Sequence, residues 1–544
     1  MKIGIVQMNA VVGDFPGNAK RILAGYRECM ELGAEVVVTP EMSLVGYPPR
    51  DLVFKSQFVP RCLQALDYLA DEVGDVPLVV GYVDFHEGKV GKPFRNAAAW
   101  LEKGEVRGRF WKTLLPTYDV FDERRYFEPG AVCEAYEWGG RKIGITICED
   151  IWTEDFLQRP LYDRDPVEEL VGMGVDVVLN LSASPFHVGK PEGRRGMLGD
   201  VGREHGVPVV YCNAIGGNDE LVFDGHSLVV DGCGDVVAQM GGFCEECRVV
   251  DVLGGGEVAV EELGSEDVEQ LYDAVVLGLR DYVGKCGFST VCLGLSGGID
   301  SALTAVIAAD ALGAGNVYGL TMPSPYSSRG SVEDSFDLAR RVGIGCEEVS
   351  ISEAFEAVKR AMGPVFQRQG EDVTEENMQA RLRGLFLMSL ANKDQHLLLT
   401  TGNKSELAVG YCTIYGDMCG GLAVISDLPK TRVFELARWV NRDEERIPWS
   451  TIEKAPSAEL RPDQKDQDTL PEYALLDAIL ELYVEQALGA EEIVERGYEE
   501  GLVRWIQRRV DLNEWKRQQA APGLRVTSKA FGMGRRMPIA QRLV

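Results

Sequence analysis

Ser296-Gly297-Gly298-Ile299-Asp300-Ser301 is the stretch on which the reading of this chain turns. It lies between the apolar run Thr290 to Leu295 and the apolar-periodic run Ala302 to Leu312, which spells a buried strand, a glycine turn and a helix. Adjacent glycines let the backbone turn tightly and bring its N–H groups close to an anion, and the helix start adds the positive end of its dipole. Phosphate is the ligand such a turn suits. No Gly-Lys-Ser/Thr follows, so this is not a Walker A loop, and the glycine spacing is not that of a dinucleotide turn.

At 544 residues and 45% hydrophobic content the chain exceeds what one core supports, so two or more domains are expected. A formal charge of −29 argues against binding nucleic-acid backbones or anionic membranes, both of which attract basic patches. No run approaches the ~18 apolar residues of a membrane span. The strand-like Lys2 to Gln7 begins at once, with no charged and then apolar leader before it, which reads as cytoplasmic. Thirteen scattered cysteines fit reduced thiols better than a disulfide framework, and the lone Cys244-x-x-Cys247 reads as two free thiols rather than a zinc site.

From Met1 to about Asp251, β-rich runs (Ile3 to Val6, Glu35 to Val38, Leu78 to Tyr82, Lys142 to Ile147, Val175 to Leu181, Val207 to Tyr211) alternate with turns and helical patterns such as Asn18 to Leu32. Three chemically distinct residues fall just past strands: Glu41, Lys112 and Cys148. A glutamate can take the thiol proton, the thiolate can attack an amide carbon, and an ammonium can hold the developing oxyanion. Each residue alone is ordinarily a solvated loop end or a small core residue. The combination is what points to a hydrolase.

The triple glycine Gly254 to Gly256 and the acidic run Glu261 to Asp267 read as a linker, giving domains 1–252 and 268–544 with residues 253–267 between them. In the second half, strand-like Asn316 to Thr321 and His396 to Thr400 alternate with helical runs, which implies a parallel sheet. In the helical stretch Glu375 to Arg383, Met378, Leu382, Leu385 and Phe386 share one face, leaving Asn377 and Arg381 on another, either as a solvated face or as ligands. Asp300 and Glu406, each just past a strand, could meet over a triphosphate with magnesium, which takes a couple of carboxylates plus phosphate oxygens. The polar tail from Ser457 to Thr469 reads as a mobile lid.

Several of these motifs carry family resemblances. The glycine loop resembles the pyrophosphatase loop of ATP-dependent adenylating amidotransferases. Pro40-Glu41-Met42-Ser43-Leu44-Val45-Gly46-Tyr47-Pro48, Lys112-Thr113-Leu114-Leu115-Pro116 and Cys148-Glu149-Asp150-Ile151-Trp152 resemble the nitrilase, or carbon–nitrogen hydrolase, superfamily. That resemblance implies an α-β-β-α sandwich with a Glu41, Lys112, Cys148 triad. In its glutaminase members Tyr118, Glu123, Glu149, Ser184 and Lys190 fall where the pocket is shaped and glutamine is contacted; Lys190 replaces an arginine, whose bidentate fork a lysine lacks. Glu123 and Lys190 could equally be ordinary polar loop residues.

Leu293 to Ser301, Asn377 to Arg383, Thr401 to Glu406, Asp417, Leu428 to Thr431 and Lys529 to Ile539 resemble the synthetase domain of the glutamine-dependent NAD synthetase family. The resemblance implies a Rossmann-like parallel-sheet α/β domain of the adenine-nucleotide α-hydrolase type. ATP would contact Ser296, Gly297, Gly298, Asp300, Ser301, Arg383, Thr401 and Ser457, with magnesium on Asp300 and Glu406. Deamido-NAD would contact Asn377, Arg381, Asp417 and Lys430. The implied reaction hydrolyses glutamine, adenylates the nicotinate carboxylate and lets ammonia displace AMP. Glutamine, deamido-NAD and ATP are then the partners of an expected homo-oligomer, with ammonia passed between domains. Two alternatives stay open: an adenylating amidotransferase acting on another acceptor, and a non-catalytic adenylate-binding scaffold.

Overall fold

The computed structural model describes the chain outside residues 153–160, 255–258, 261–266, 367–369, 371, 462–463 and 542–544. It divides into two compact units, Met1–Gln270 and Leu271–Val544. Most of the stretch read as a linker lies outside the described residues. Ala259–Val260, however, pairs in parallel with the strand Val236–Gln239 and so extends a sheet of the first unit.

Besides a two-stranded sheet, Ile215–Asn218 with Leu221–Asp224, that unit has two large ones. One has six strands in the order Glu246–Asp251, Lys2–Gln7, Val36–Val38, Leu78–Phe85, Phe94–Glu102, Glu105–Trp111. In the other, the strands Arg141–Ile147, Val177–Ser182 and Val209–Asn213 are parallel neighbours. Because side chains alternate along a strand, each strand serves two faces. Ile3, Ile5, Val36, Val38 and Trp100 of the first sheet meet Ile143, Ile145, Val177, Leu179 and Val210 of the second in one apolar layer. On the outer face of the first sheet, Val6, Val37 and Val80 pack against Ile22, Tyr26, Leu66 and Leu69 of the helices Phe15–Glu31 and Phe58–Glu72. The helices Pro166–Gly172 and Lys190–His205 cover the second sheet through Leu170, Leu198 and Val201. The result is the expected α-β-β-α sandwich.

The second unit has a parallel sheet in the order Gly345–Glu348, Val317–Thr321, Val291–Gly294, Leu397–Thr400, Leu422–Ala423. The chain enters at the central strand Val291–Gly294, builds outward on one side, and then returns to lay Leu397–Thr400 on the other. Strand order therefore reverses between these two neighbours, and a crevice opens past their carboxyl ends. Ser296–Ser301 follows one and Thr401–Glu406 the other. One expectation is corrected here: Leu385 is 59% exposed and does not share the buried face of its helix. In the polar tail, Leu460 O accepts from Gln379 Nε2 at 2.9 Å, and Glu459 accepts from Ser328 and Ser331 hydroxyls at 3.0 and 2.7 Å. All thirteen cysteines are free. Among the described residues no helix is long and apolar enough to cross a membrane.

The sandwich also buries an ion pair. Arg194 grips Asp224 through two 3.0 Å bonds, with His226 Nδ1 at 2.8 Å from the same carboxylate. Asp224→Ala strands a fully buried guanidinium, and we expect a loss of about 3–5 kcal/mol in urea unfolding. The double replacement Arg194→Met with Asp224→Leu should recover most of it.

Candidate active sites

In the first unit three strand ends deliver the expected triad: Glu41 follows Val36–Val38, Lys112 follows Glu105–Trp111 and Cys148 follows Arg141–Ile147. Lys112 Nζ donates to Glu41 Oε1 at 2.8 Å and to Glu123 Oε1 at 2.7 Å, with all three side chains buried. Asn96 Nδ2 bridges the same carboxylates at 2.6 and 3.2 Å. The Ala183 N–H fixes Glu41 Oε2 at 3.0 Å, and the Tyr47 hydroxyl donates to Glu123 at 2.9 Å. Glu41 is thus held at both oxygens.

Cys148 opens a short 3-10 turn with φ 46°, a left-handed backbone that non-glycine residues adopt at a cost and that clusters at functional sites. Asp150 fastens this turn. Its Oδ1 accepts the N–H groups of Thr113 and Leu114 at 2.9 and 2.7 Å, and its Oδ2 accepts that of Ile147 at 3.0 Å. One carboxylate therefore ties the chain just past Lys112 to the chain just before Cys148.

The electrostatics follow from burial. Desolvation holds the Cys148 thiol above its ordinary value, the Glu41 charge adds to this, and Lys112 opposes it. Burial draws the Lys112 ammonium down, but Glu123, Glu41 and Cys148 outweigh it and keep it charged. Burial raises Glu123 to about 7 against the pull of Lys112, with Glu41 adding to the rise.

Around it, the Tyr118 hydroxyl donates to both oxygens of Glu149 at 2.8 and 3.0 Å, and Tyr162 adds a third bond at 3.0 Å. The backbone N–H of Ser184, itself buried, donates to Asn213 Oδ1 at 2.9 Å. Lys190 Nζ lies 4.1 Å from the centre of the Trp152 ring.

In the second unit, Gly297 has φ 74°, and a Cβ there would sit 2.3 Å from Ser331 O, so this position requires glycine. Ser301 Oγ donates to Gly298 O at 3.0 Å, and Gly298 N donates to Ser296 Oγ at 3.2 Å, which gives the turn its shape. A cavity of about 300 Å³ is lined by Ser296, Gly298, Asp300, Ser301, Arg383, Thr401, Glu406, Asp417, Lys430 and Ser457. Gly297, Asn377 and Arg381 are not part of that lining. Arg383 Nε donates to Met322 O at 3.1 Å, and burial lowers its guanidinium to about 10. Ser457 Oγ donates to Gln464 O at 2.6 Å.

Of the four residues expected to share one ligand, Asp417 and Lys430 line the same cavity, and the hydrogen-bond partners of the four differ. Asn377 Oδ1 accepts from Thr413 Oγ1 at 2.8 Å, Asp417 accepts from Thr413 N at 2.8 Å, and Arg381 Nε donates to Ile414 O at 3.3 Å, so these three converge on one loop. Lys430 stands with the carboxylates, 2.5 Å from Asp300 Oδ2 and 3.3 Å from Glu406 Oε1. It does so because it opens the helix Lys430–Val440, whose first N–H donates to Ser405 Oγ beside Glu406 at 2.8 Å. Asn403 completes the arrangement, donating to Asp300 Oδ1 at 3.0 Å while its own oxygen accepts the Glu406 N–H. Asn96, Asp150 and Asn403 were not singled out by sequence, although Asn96 leaves a signal as a polar residue in the apolar run Asn96-Ala97-Ala98-Ala99-Trp100.

Sequence profiles match both units: carbon–nitrogen hydrolase over residues 2–253 and NAD synthase over residues 271–520. Fold and sites thus define a ligase with a nitrilase-type glutaminase domain. The glutamine-dependent NAD(+) synthetase of Synechocystis sp. is 45% identical over 99% of this chain and 98% of its own length. The Thermotoga maritima enzyme of that name is 41% identical over 100% and 99%. A solved structure, the glutamine-dependent NAD+ synthetase of Acinetobacter baumannii in complex with ADP, matches with a TM-score of 0.79 at 39% identity, covering 99% of this chain and 98% of its own. The chain belongs to the glutamine-dependent NAD(+) synthetase family.

Because Glu123 is raised in the folded state, its contribution to stability is fully present below the ordinary glutamate value and is lost as pH rises through about 7. Glu123→Gln should flatten the stability profile between about pH 4.5 and 7, as measured by urea midpoints across that range.

Proposed function

We propose that the chain makes NAD+ from deamido-NAD, ATP and glutamine, with the glutaminase chemistry at Cys148 and the adenylation at the crevice behind Ser296–Ser301. The observation that carries the first half is the Glu41–Lys112–Glu123 cluster beside a cysteine held in a strained turn. Cys148 gives its proton to Glu41 and attacks the side-chain amide carbon of glutamine. Lys112, kept charged by its two carboxylates, faces the oxyanion. Glu41 returns the proton to the departing ammonia and then draws one from the water that hydrolyses the thioester, releasing glutamate. We assign the glutamine backbone to Tyr118, Glu149, Ser184 and Lys190, with Lys190 acting as a point charge rather than a fork.

In the second unit we assign the ATP phosphates to Ser296, Gly297, Gly298 and Ser301, and the rest of the nucleotide to Arg383, Thr401 and Ser457. Asn377, Arg381 and Asp417 are assigned to deamido-NAD, with Lys430 serving it through the carboxylates it holds. The nicotinate carboxylate attacks the α-phosphorus, pyrophosphate leaves, and ammonia displaces AMP from the acyl adenylate. The donor set fits magnesium: Asp300 and Glu406 converge on one cation already and both reach the cavity, where phosphate oxygens would complete the shell. When bound, the ion would offset phosphate charge.

Cys148→Ala should abolish glutamine-driven NAD+ formation and leave ammonium-driven formation near wild type. Equal loss of both in a folded variant would sink the division into two sites. AMP and pyrophosphate should appear one for one with NAD+; ADP and phosphate in their place would refute adenylation.

A further inference from the structure

The Lys430 side chain is 2% exposed, while those of Asp300 and Glu406 are 19% and 18% exposed and open onto the cavity. The ammonium is thus the most deeply buried of the three charges at the cavity wall and binds both carboxylates. Asp300 is engaged at both oxygens, by Asn403 at 3.0 Å and Lys430 at 2.5 Å. Asp466, held by the hydroxyls of Tyr473 and Tyr411 at 2.8 and 3.2 Å, lies close enough to add to the field on Lys430. A single positive charge already balances much of what would otherwise attract a divalent ion.

We propose that Lys430 is a resident counter-cation that keeps a free divalent ion out of the Asp300–Glu406 pair, so that the metal enters only with its nucleotide. This rests on the magnesium reading above. A bare divalent ion would place two more positive charges beside a buried ammonium and find two carboxylates already engaged by it, with Asp466 tied to Tyr473 and Tyr411. The triphosphate changes both terms, supplying oxygen ligands and enough negative charge to offset Lys430. Lys430 is on this account a positioning residue that sets the order of binding.

Mn2+ is the probe, titrated into the full chain at pH 8 and followed by the electron paramagnetic resonance of the free ion. In the wild type, Mn2+ alone should bind at least tenfold more weakly than in the presence of α,β-methylene-ATP. Lys430→Met should bind Mn2+ alone at least tenfold more tightly than wild type, and Asp300→Asn added to it should remove the gain. Lys430→Arg, which keeps the charge, should behave as wild type. Lys430→Gln is run beside the methionine variant, and whichever has the wild-type melting profile is scored. If the scored variant binds Mn2+ alone no more tightly while Asp300→Asn still weakens binding with the analogue, the counter-cation is overturned and the metal reading stands. If Asp300→Asn and Glu406→Gln both leave binding with the analogue unchanged, the metal reading fails and takes this inference with it.

Discussion

A buried ammonium shared by two carboxylates is the interaction on which both sites depend. Lys112 lies between Glu41 and Glu123, and Lys430 between Asp300 and Glu406. Taking three charges from water is expensive, and removing one partner from such a set is more expensive still. Neither cluster is a stabilising device. Each instead fixes a buried positive charge against two carboxylates past strand ends, the placement on which the proposed chemistry draws. In the first unit the consequence is visible in Glu123, which burial raises to about 7.

The folds exist, in this sense, to bring strand ends together. In the sandwich, Glu41, Lys112 and Cys148 come from strands of two different sheets, which one apolar layer packs together. Asp150 then locks the local geometry by accepting three backbone N–H groups from two chain segments. In the second unit the same service is performed by topology. Reversal of strand order beside Val291–Gly294 leaves a crevice with Asp300 on one lip and Glu406 on the other.

The strands that were legible have short apolar runs bounded by turns, and their observed spans agree with the expected runs to within a few residues; others, among them Phe94–Glu102 and Glu105–Trp111, were not read from the sequence. Glu41, Lys112 and Cys148 were legible because each stands just past such a run. Asn96 escaped because it sits inside a strand, where a polar residue reads as an exposed position until its partners are known. Lys430 and Asn377 were legible through motifs that resemble one family's; their partners within the fold, Asp300 for Lys430 and Thr413 for Asn377, were not. The partners that Glu459 and Leu460 find, Ser328, Ser331 and Gln379, were not legible because they are more than eighty residues away in sequence.

By itself the sequence determined the two halves, the phosphate turn and the chemical types at each strand end, since these follow from periodicity, glycine placement and local spacing. Tertiary structure alone decided which charges share a cation and which hydrogen-bonding groups stay buried. Several of those outcomes depend on contacts between segments far apart in the chain, 71 residues for Lys112 with Glu41 and 142 for the Ala183 N–H with the same carboxylate. Their energies come from desolvation, which no local pattern encodes.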